Sequence, residues 1–225
     1  MKHTTGYTLL LMALMALTAS CTQDAYDKGE GYYSQMVAEM VDGYTASDKR
    51  VTHFVTDDDV RYTVANPFMT SLMEKADTVY RAIFYFNKDE QGQAEVIGLD
   101  RVGVLRPLAM EAVKTDPVKM ESVWMGKSKR YLNLSLYLMT GATTDKDALH
   151  RMGCCRDTLM LNDDGTRTLH LTLYHDQGGM PEYYSSRAYF SIPLTDTDAD
   201  SVVLRVNTYE GILTTCIELQ EVVAP

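Results

Sequence analysis

The chain has 225 residues, of which 45% are hydrophobic and 23% charged, a composition typical of a folded protein rather than a disordered one. Its formal net charge is −10, and a negative field of this size repels phosphate backbones, so we expect no nucleic-acid partner. Composition and charge do not exclude catalysis.

The first 21 residues predict an export signal that ends in a lipidation site. An apolar run of 13 residues, YTLLLMALMALTA, is too short to span a bilayer, which requires about 20 residues. Small residues precede Cys21, as in the lipobox of bacterial lipoproteins, although Thr18 stands where that motif usually has leucine. We therefore expect residues 1–21 to be a lipoprotein signal peptide that leaves a diacylated Cys21. The alternative is an ordinary secretory signal cleaved nearby.

The residues after Cys21 predict a tether. Residues 22–32 are polar, acidic and contain glycine, which is typical of a flexible linker. Two acyl chains hold a protein stably at a membrane, whereas a single chain binds marginally. We therefore expect an outer-membrane lipoprotein that faces the periplasm or the cell surface and contacts the membrane through its N-terminal anchor.

Residues 33–117 show the period-2 alternation of half-buried strands. One segment, residues 67–76, is predicted as a helix because Pro67 stands at its start and Phe68, Leu72 and Met73 share one side. Five strands with a helix between the third and the fourth are the order of an OB-like barrel, although this pattern alone does not separate the barrel from other meanders. The strand candidates are YYSQMVAEMV, RVTHFVT, VRYTV, TVYRAIFYF and EVIGLDRVGVLRP.

Residues 118–225 contain seven strand candidates, and this number of short strands predicts an Ig-like β-sandwich. Asp164 and Gly165 suit a hairpin turn with positive φ angles, and residues 209–211 turn the last pair of strands. The predicted fold is therefore all-β, an OB-like barrel followed by a β-sandwich. The candidates are KMESVWM, YLNLSLYLMT, RMGCCRDTLML, TRTLHLTLYH, EYYSSRAYFSI, SVVLRVNTY and ILTTCIEL.

Five stretches of the chain together resemble the NigD-like lipoproteins of Bacteroidales. The resemblance implies an N-terminal OB-like domain and a C-terminal β-sandwich. The bacteriocin gene neighbourhood behind the family's name also suggests an immunity role. It supplies no catalytic residues. The stretches are KADTVYRAIFYFNK (75–88), VGVLRP (102–107), KTDPVKMESVW (114–124), KRYLNLSLYLMTG (129–141) and DGTRTLHLTLYHDQGGMPEYYSS (164–186).

The loop around residues 176–182 offers the one candidate for catalysis. Asp176 and Glu182 could form the carboxyl pair of a glycosidase. Gly178, Gly179 and Pro181 are turn residues, however, and no nucleophile motif accompanies them. We interpret the stretch as a corner between two strands, with Tyr183 or Tyr184 packed inward, and expect no catalytic residues.

Four tyrosines are the candidate binding residues. Tyr131 and Tyr137 alternate with leucines that we expect to face the core, so their face of the strand meets either solvent or a partner. Tyr183 and Tyr184 lie on a loop, where binding residues are frequent. A glycan or a protein is the expected partner.

The sequence favours neither a metal site nor a cofactor. His170 and His175 point to opposite faces of one predicted strand, and His150 lies in a separate loop. A calcium loop over residues 196–200 would lack the glycine and glutamate of the EF-hand pattern. Cys154, Cys155 and Cys216 are either free thiols or include one disulfide bond, with the odd number favouring thiols.

These observations predict a non-catalytic cell-envelope lipoprotein with a binding or structural role. Bacteriocin immunity is an alternative that rests on the resemblance alone. A glycan-active enzyme, built on Asp176 and Glu182, is a further alternative.

Overall fold

The computed structural model describes residues 33–219, so the predicted signal peptide (1–21), with Cys21, and the whole predicted tether (22–32) lie outside the described residues. The described part contains strands and no helix, and hence no helix that could cross a membrane. The all-β prediction is confirmed. The strands are β1 Val37–Thr45, β2 Val51–Thr56, β3 Arg61–Phe68, β4 Val79–Lys88, β5 Gln93–Arg101, β6 Gly103–Val104, β7 Pro107–Leu108, β8 Lys119–Met125, β9 Tyr131–Thr140, β10 Arg151–Leu161, β11 Arg167–Asp176, β12 Tyr184–Pro193, β13 Ser201–Thr208 and β14 Gly211–Glu218.

The first five strands close a barrel in the order β1-β2-β3-β5-β4. Neighbouring strands are antiparallel except β3 and β5, which pair in parallel. Alternate residues of these strands point inward and fill the barrel. Phe54, Phe84 and Phe86 are fully buried there, and Phe54 meets the other two rings edge to face. The predicted OB-like barrel is therefore confirmed.

The predicted helix over residues 67–76 is wrong. Pro67 and Phe68 end strand β3, and turns follow up to β4. Only Met73 of this stretch is fully buried, so a helix here would gain too little packing to offset the cost of its first turn. The Thr45 hydroxyl instead donates to the carbonyl of Lys75 at 2.7 Å and accepts the Thr78 amide at 3.0 Å.

The remaining strands form a β-sandwich of two sheets, in the orders β14-β13-β11-β10-β7 and β6-β12-β9-β8. Leucines 132, 134, 136 and 138 of β9 face its core, as predicted from their alternation. Gly165 (φ 87°) and Gly211 (φ 117°) occupy the two predicted hairpin turns, in a backbone region that glycine enters without strain.

Two very short strands join the sandwich upstream of residue 118. Strand β6 pairs with β12 through Gly103 and Phe190, and β7 pairs with β10 through Pro107 and Cys154. A side chain at Gly103 would lie 2.5 Å from the Phe190 ring, so the close approach requires glycine. Hydrogen bonding to the sandwich thus begins before the expected domain boundary near residue 117, which stays a prediction.

Candidate functional site

A buried polar network connects the barrel to the sandwich. Arg81 of β4 is 7% exposed, and its Nη2 lies 2.6 Å from Oδ2 of Asp57 and 3.1 Å from Oδ1 of Asn133 in the sandwich. Its Nε donates to the Ser191 hydroxyl at 3.0 Å, and its Nη1 lies 3.5 Å from Asp42. Asn133 also donates to Asp57 at 2.6 Å. Charges that are paired and hydrogen-bonded in this way hold the two parts in one geometry.

Tyr131 lies inside this contact rather than on an open binding surface. The guanidinium carbon of Arg81 is 4.1 Å from the centre of the Tyr131 ring, and that of Arg130 is 5.9 Å away. Burial raises the pKa of the Tyr131 hydroxyl, and the Asp42 carboxylate raises it further. The face of β9 that we expected to meet solvent or a partner meets the barrel of the same chain at this end.

Tyr137, further along the same face of β9, belongs to a polar surface cluster. Arg187 donates to the Tyr137 hydroxyl and to Glu121, each from Nη2 at 2.6 Å. Hydrogen bonding from Ser135 is the main cause that lowers the pKa of Glu121. The structure therefore does not bring Tyr131 and Tyr137 together as one exposed site.

Tyr183 and Tyr184 stand out from the corner before β12. They are 78% and 58% exposed, so the expectation that one of them packs inward is wrong. The Tyr183 amide donates to the carbonyl of Thr140 at 3.0 Å, and this backbone bond directs the side chain outward over Gly141. Their role in binding stays a prediction.

The two carboxyl groups considered for catalysis support the loop between β11 and β12. Asp176 pairs with Lys114 at 3.0 Å and with Arg151 at 3.3 Å, and accepts the Gly178 amide at 3.0 Å. The hydrogen bond from Lys114 is the main cause that lowers the pKa of Asp176, which makes it a poor general acid near neutral pH. Glu182 accepts a hydrogen bond from Gln177 at 2.8 Å.

The fold brings together two histidines that sequence spacing placed apart. Nδ1 of His150 lies 3.0 Å from Nε2 of His175, and the Asp116 carbonyl, 2.9 Å away, accepts from Nδ1 of His175. Because a carbonyl only accepts, His175 carries its proton on Nδ1 and its Nε2 accepts from His150. Residues 33–219 contain no cluster of three or more potential metal ligands.

The aspartates considered as calcium ligands and the three cysteines lie in the sandwich. Arg167 pairs with Asp198 through its side chain, and its amide donates to Asp200 at 2.7 Å. Of the cysteines within the described residues, Cys154 and Cys155 are buried free thiols and Cys216 is an exposed one. Burial raises the pKa of Cys154 to about 12, so this thiol is unreactive.

A cleft of roughly 490 Å³ opens beside the buried network, where the barrel meets the outer face of the sandwich. Its size is that of a small-molecule site. The four tyrosines predicted from the sequence do not line it, whereas Trp124, the only tryptophan of the chain, does. The residues that line it are Ala38, Glu39, Met40, Asp57, Asp58, Ile83, Tyr85, Trp124, Met125, Gly126 and Tyr189.

The cleft combines aromatic side chains with carboxylates. Trp124 and Tyr189 pack with Ile83 and Met40, and the Tyr85 hydroxyl is fixed by a 2.7 Å hydrogen bond to Asp100. That bond is the main cause that raises the pKa of Tyr85 to about 12. The cleft can therefore hold an apolar or cationic body against rings and accept hydrogen bonds from it.

A second groove, of roughly 740 Å³, lies between the edge strands β8 and β14 of the two sheets. Met120, Val123 and Leu213 contribute its apolar part. Edge strands keep backbone groups that another chain can pair with.

The model of the NigD-like C-terminal β-sandwich domain matches residues 101–219. The chain belongs to the NigD-like family. The match begins at Arg101, so it includes the sandwich side of the cleft, with Trp124, Gly126 and Tyr189, but not the barrel side.

Solved structures from species of Bacteroides share the fold of this NigD-like chain. A NigD-like immunity protein from Bacteroides caccae is 24% identical, with a TM-score of 0.62 over 82% of this chain and 94% of its own. A protein of unknown function from Bacteroides vulgatus is 14% identical, with a TM-score of 0.64 over 84% and 92%. A candidate lipoprotein from Bacteroides fragilis is 12% identical, with a TM-score of 0.57 over 84% and 100%. No curated protein matches the chain.

Proposed function

We propose that this NigD-like chain is a non-catalytic lipoprotein of the cell envelope that binds a ligand in the cleft between its barrel and its sandwich. The observation that carries the proposal is the cleft itself, with aromatic side chains contributed by both parts and carboxylates contributed by the barrel. Binding sites favour such concave places at the meeting of two structural units.

The buried network supports binding because it preorganises the cleft. Asp57 takes part in both, since it pairs with Arg81 and also lines the cleft. A site whose walls are already fixed loses less conformational entropy when a ligand binds.

The envelope location is supported by the lipobox-like end of the signal and by the lipoprotein character suggested for the B. fragilis neighbour. We expect a clickable palmitate analogue to label the wild-type protein and not a Cys21→Ser variant. External protease on intact cells then distinguishes the cell surface from the periplasm. Labelling of Cys21→Ser at the wild-type level would contradict the lipid anchor.

Binding in the cleft can be followed through Trp124, the only tryptophan in the chain. We expect a panel of envelope oligosaccharides, peptides and amines to contain a compound that changes the Trp124 fluorescence saturably. An Ala38→Tyr variant, which fills the cleft from an exposed position on β1, should lose the response. Thr214→Tyr, an exposed position on β14 outside the cleft, is the matched control. Equal responses in all three proteins would contradict binding in the cleft.

Bacteriocin immunity is a second proposal, favoured by the structural similarity to the NigD-like immunity protein from B. caccae. A gene deletion should then sensitise cells to the toxin of a neighbouring producer, and the wild-type gene should restore resistance. Unchanged sensitivity across producers would contradict immunity and would leave binding in the cleft untouched.

A further inference from the structure

We propose that the cleft takes an organic cation, either an ammonium or a guanidinium group carried on an alkyl chain. This inference rests on the proposed binding function and names the ligand class of the same cleft. Three features carry it: the aromatic lining, the carboxylates with free acceptor positions, and the lack of a competing cation among the described lining residues.

Aromatic rings line the cleft from both parts of the molecule. Tyr85 comes from the barrel, and Trp124 and Tyr189 come from the sandwich. All three are partly exposed. The face of an aromatic ring attracts a cation, most strongly for tryptophan, and the alkyl chain of a lysine or an arginine packs against the same rings.

Two carboxylates of the cleft keep unused acceptor positions. Glu39 lines the cleft and has no ion-pair partner within residues 33–219. Asp57, only 8% exposed, directs one oxygen to Arg81 and Asn133, whereas its buried Oδ1 has no hydrogen-bond partner in the described part of the chain. This oxygen is buried, so it adds negative potential at the wall of the cleft, and Glu39 is the carboxylate that a ligand can reach directly.

The third carboxylate, Asp58, is already neutralised. It pairs with Lys127 at 3.2 Å and accepts the Lys127 amide at 3.1 Å. No lysine or arginine occurs among the described residues that line the cleft. The free charge of the lining is therefore negative, which disfavours an anion and attracts a cation.

A neutral sugar is the competing occupant, because it could also pack on the rings and donate hydroxyl groups to the carboxylates. The two differ in charge. A cation should lose affinity when salt is added and when Glu39 becomes neutral, since both changes weaken an electrostatic attraction. A sugar should lose little in either case.

The test uses the full mature chain with Cys21→Ser, labelled with ¹⁵N, and follows the indole N–H signal of Trp124. The probes are Nα-acetyl-lysine-N-methylamide, its neutral counterpart Nα-acetyl-norleucine-N-methylamide, 1,4-diaminobutane and maltotriose. We expect the lysine amide to bind about tenfold more tightly than the norleucine amide, since one desolvated cation–aromatic contact is worth that factor. A preference for the lysine amide over the diamine would indicate a side chain of a peptide, and the reverse a free amine.

Glu39→Gln should weaken lysine-amide binding severalfold, and Glu218→Gln, an equal change of charge on β14 outside the cleft, should not. Equal affinities for the two amides, or tighter binding of maltotriose that Glu39→Gln does not change, would overturn the cation and leave the proposed binding function standing. Absence of any shift of the Trp124 signal with all four probes would also overturn it. The wider fluorescence screen then decides the proposed function independently.

Discussion

Arg81 brings a charge from the barrel into the contact with the sandwich, and each of its three nitrogens has a partner there. Its carboxylate partners, Asp42 and Asp57, are themselves 3% and 8% exposed. At such a position the arginine contributes to stability mainly because its charge compensates two buried negative charges.

We therefore expect Arg81→Met to lower the free energy of unfolding by about 3–5 kcal/mol, because it leaves the buried Asp57 carboxylate without a cation, whereas Asp42 keeps its 2.6 Å pair with Arg130. The measurement is urea denaturation followed by circular dichroism. The control is Arg50→Met, since Arg50 pairs with Asp48 on the surface with both side chains more than half exposed. Loss of that surface pair should lower the free energy of unfolding by less than about 1 kcal/mol. Equal losses in both variants would contradict the structural role of Arg81.

The His150–His175 pair makes stability depend on pH. Burial is the main cause that lowers the pKa of His150, and the neighbouring His175 adds to it. The unfolded chain, with a histidine pKa of about 6.5, then binds a proton more readily than the folded chain. The stabilisation is complete above about pH 6.5 and declines as the pH falls below that value.

His150→Gln should therefore reduce the loss of stability between pH 7 and pH 5.5, measured as the shift of the urea midpoint. His53 is a second contributor, because burial and the charge of Arg61 lower its pKa as well. His53→Gln should reduce the loss in the same direction. An unchanged pH dependence in both variants would contradict the assignment.

At the scale of elements, the loop after β8 closes over the end of β2. The Ser128 amide donates to the Asp57 carbonyl at 2.9 Å. A Cβ on Gly126 would lie 2.4 Å from Cβ of Asp57 and 2.5 Å from its carbonyl oxygen. The backbone can approach this closely only without a side chain.

Gly126→Ala should consequently lower the free energy of unfolding by about 1–3 kcal/mol, the usual cost of overpacking. Gly98→Ala is the control, because its Cβ would make an ordinary contact at 3.8 Å with Tyr85. It should change stability by less than about 0.5 kcal/mol. Thermal unfolding measures both, and a neutral Gly126→Ala would show that the loop can move away from Asp57 at no cost.

At the scale of the whole molecule, the barrel and the sandwich share buried charges and an apolar contact formed by Met40, Ile83 and Val102. Two units joined through buried contacts lose those contacts when either unfolds. We expect one cooperative transition.

The prediction is that Trp124 fluorescence, which reports the junction, and far-ultraviolet circular dichroism, which reports all strands, give the same urea midpoint. Cys21→Ser protein avoids interference from the lipid. Arg81→Met should separate the two curves if the network is what couples the parts. Two well-separated transitions in the unsubstituted protein would contradict the coupling.

Much of the fold could be predicted from the sequence because strand patterns are local. The alternation of apolar and polar residues predicted β8, β9 and β10 with the bounds that the structure has, together with the leucine core of β9. Turn chemistry at Gly165 predicted a hairpin, because positive φ is a property of the residue itself. The resemblance to NigD-like proteins agreed with the order of the two parts that the strand pattern indicated.

Tertiary structure decided the features that depend on distant residues. The helix expected at residues 67–76 does not form, because contacts with Thr45 and Tyr80 hold the segment in turns. Contacts between distant residues also place Tyr131 beneath Arg81 and Arg130. They likewise bring His150 to His175. Arg81 and Ser191, which hydrogen-bond at the junction, are 110 residues apart. Sequence spacing determines which face of a strand a residue occupies, but only packing determines what that face meets.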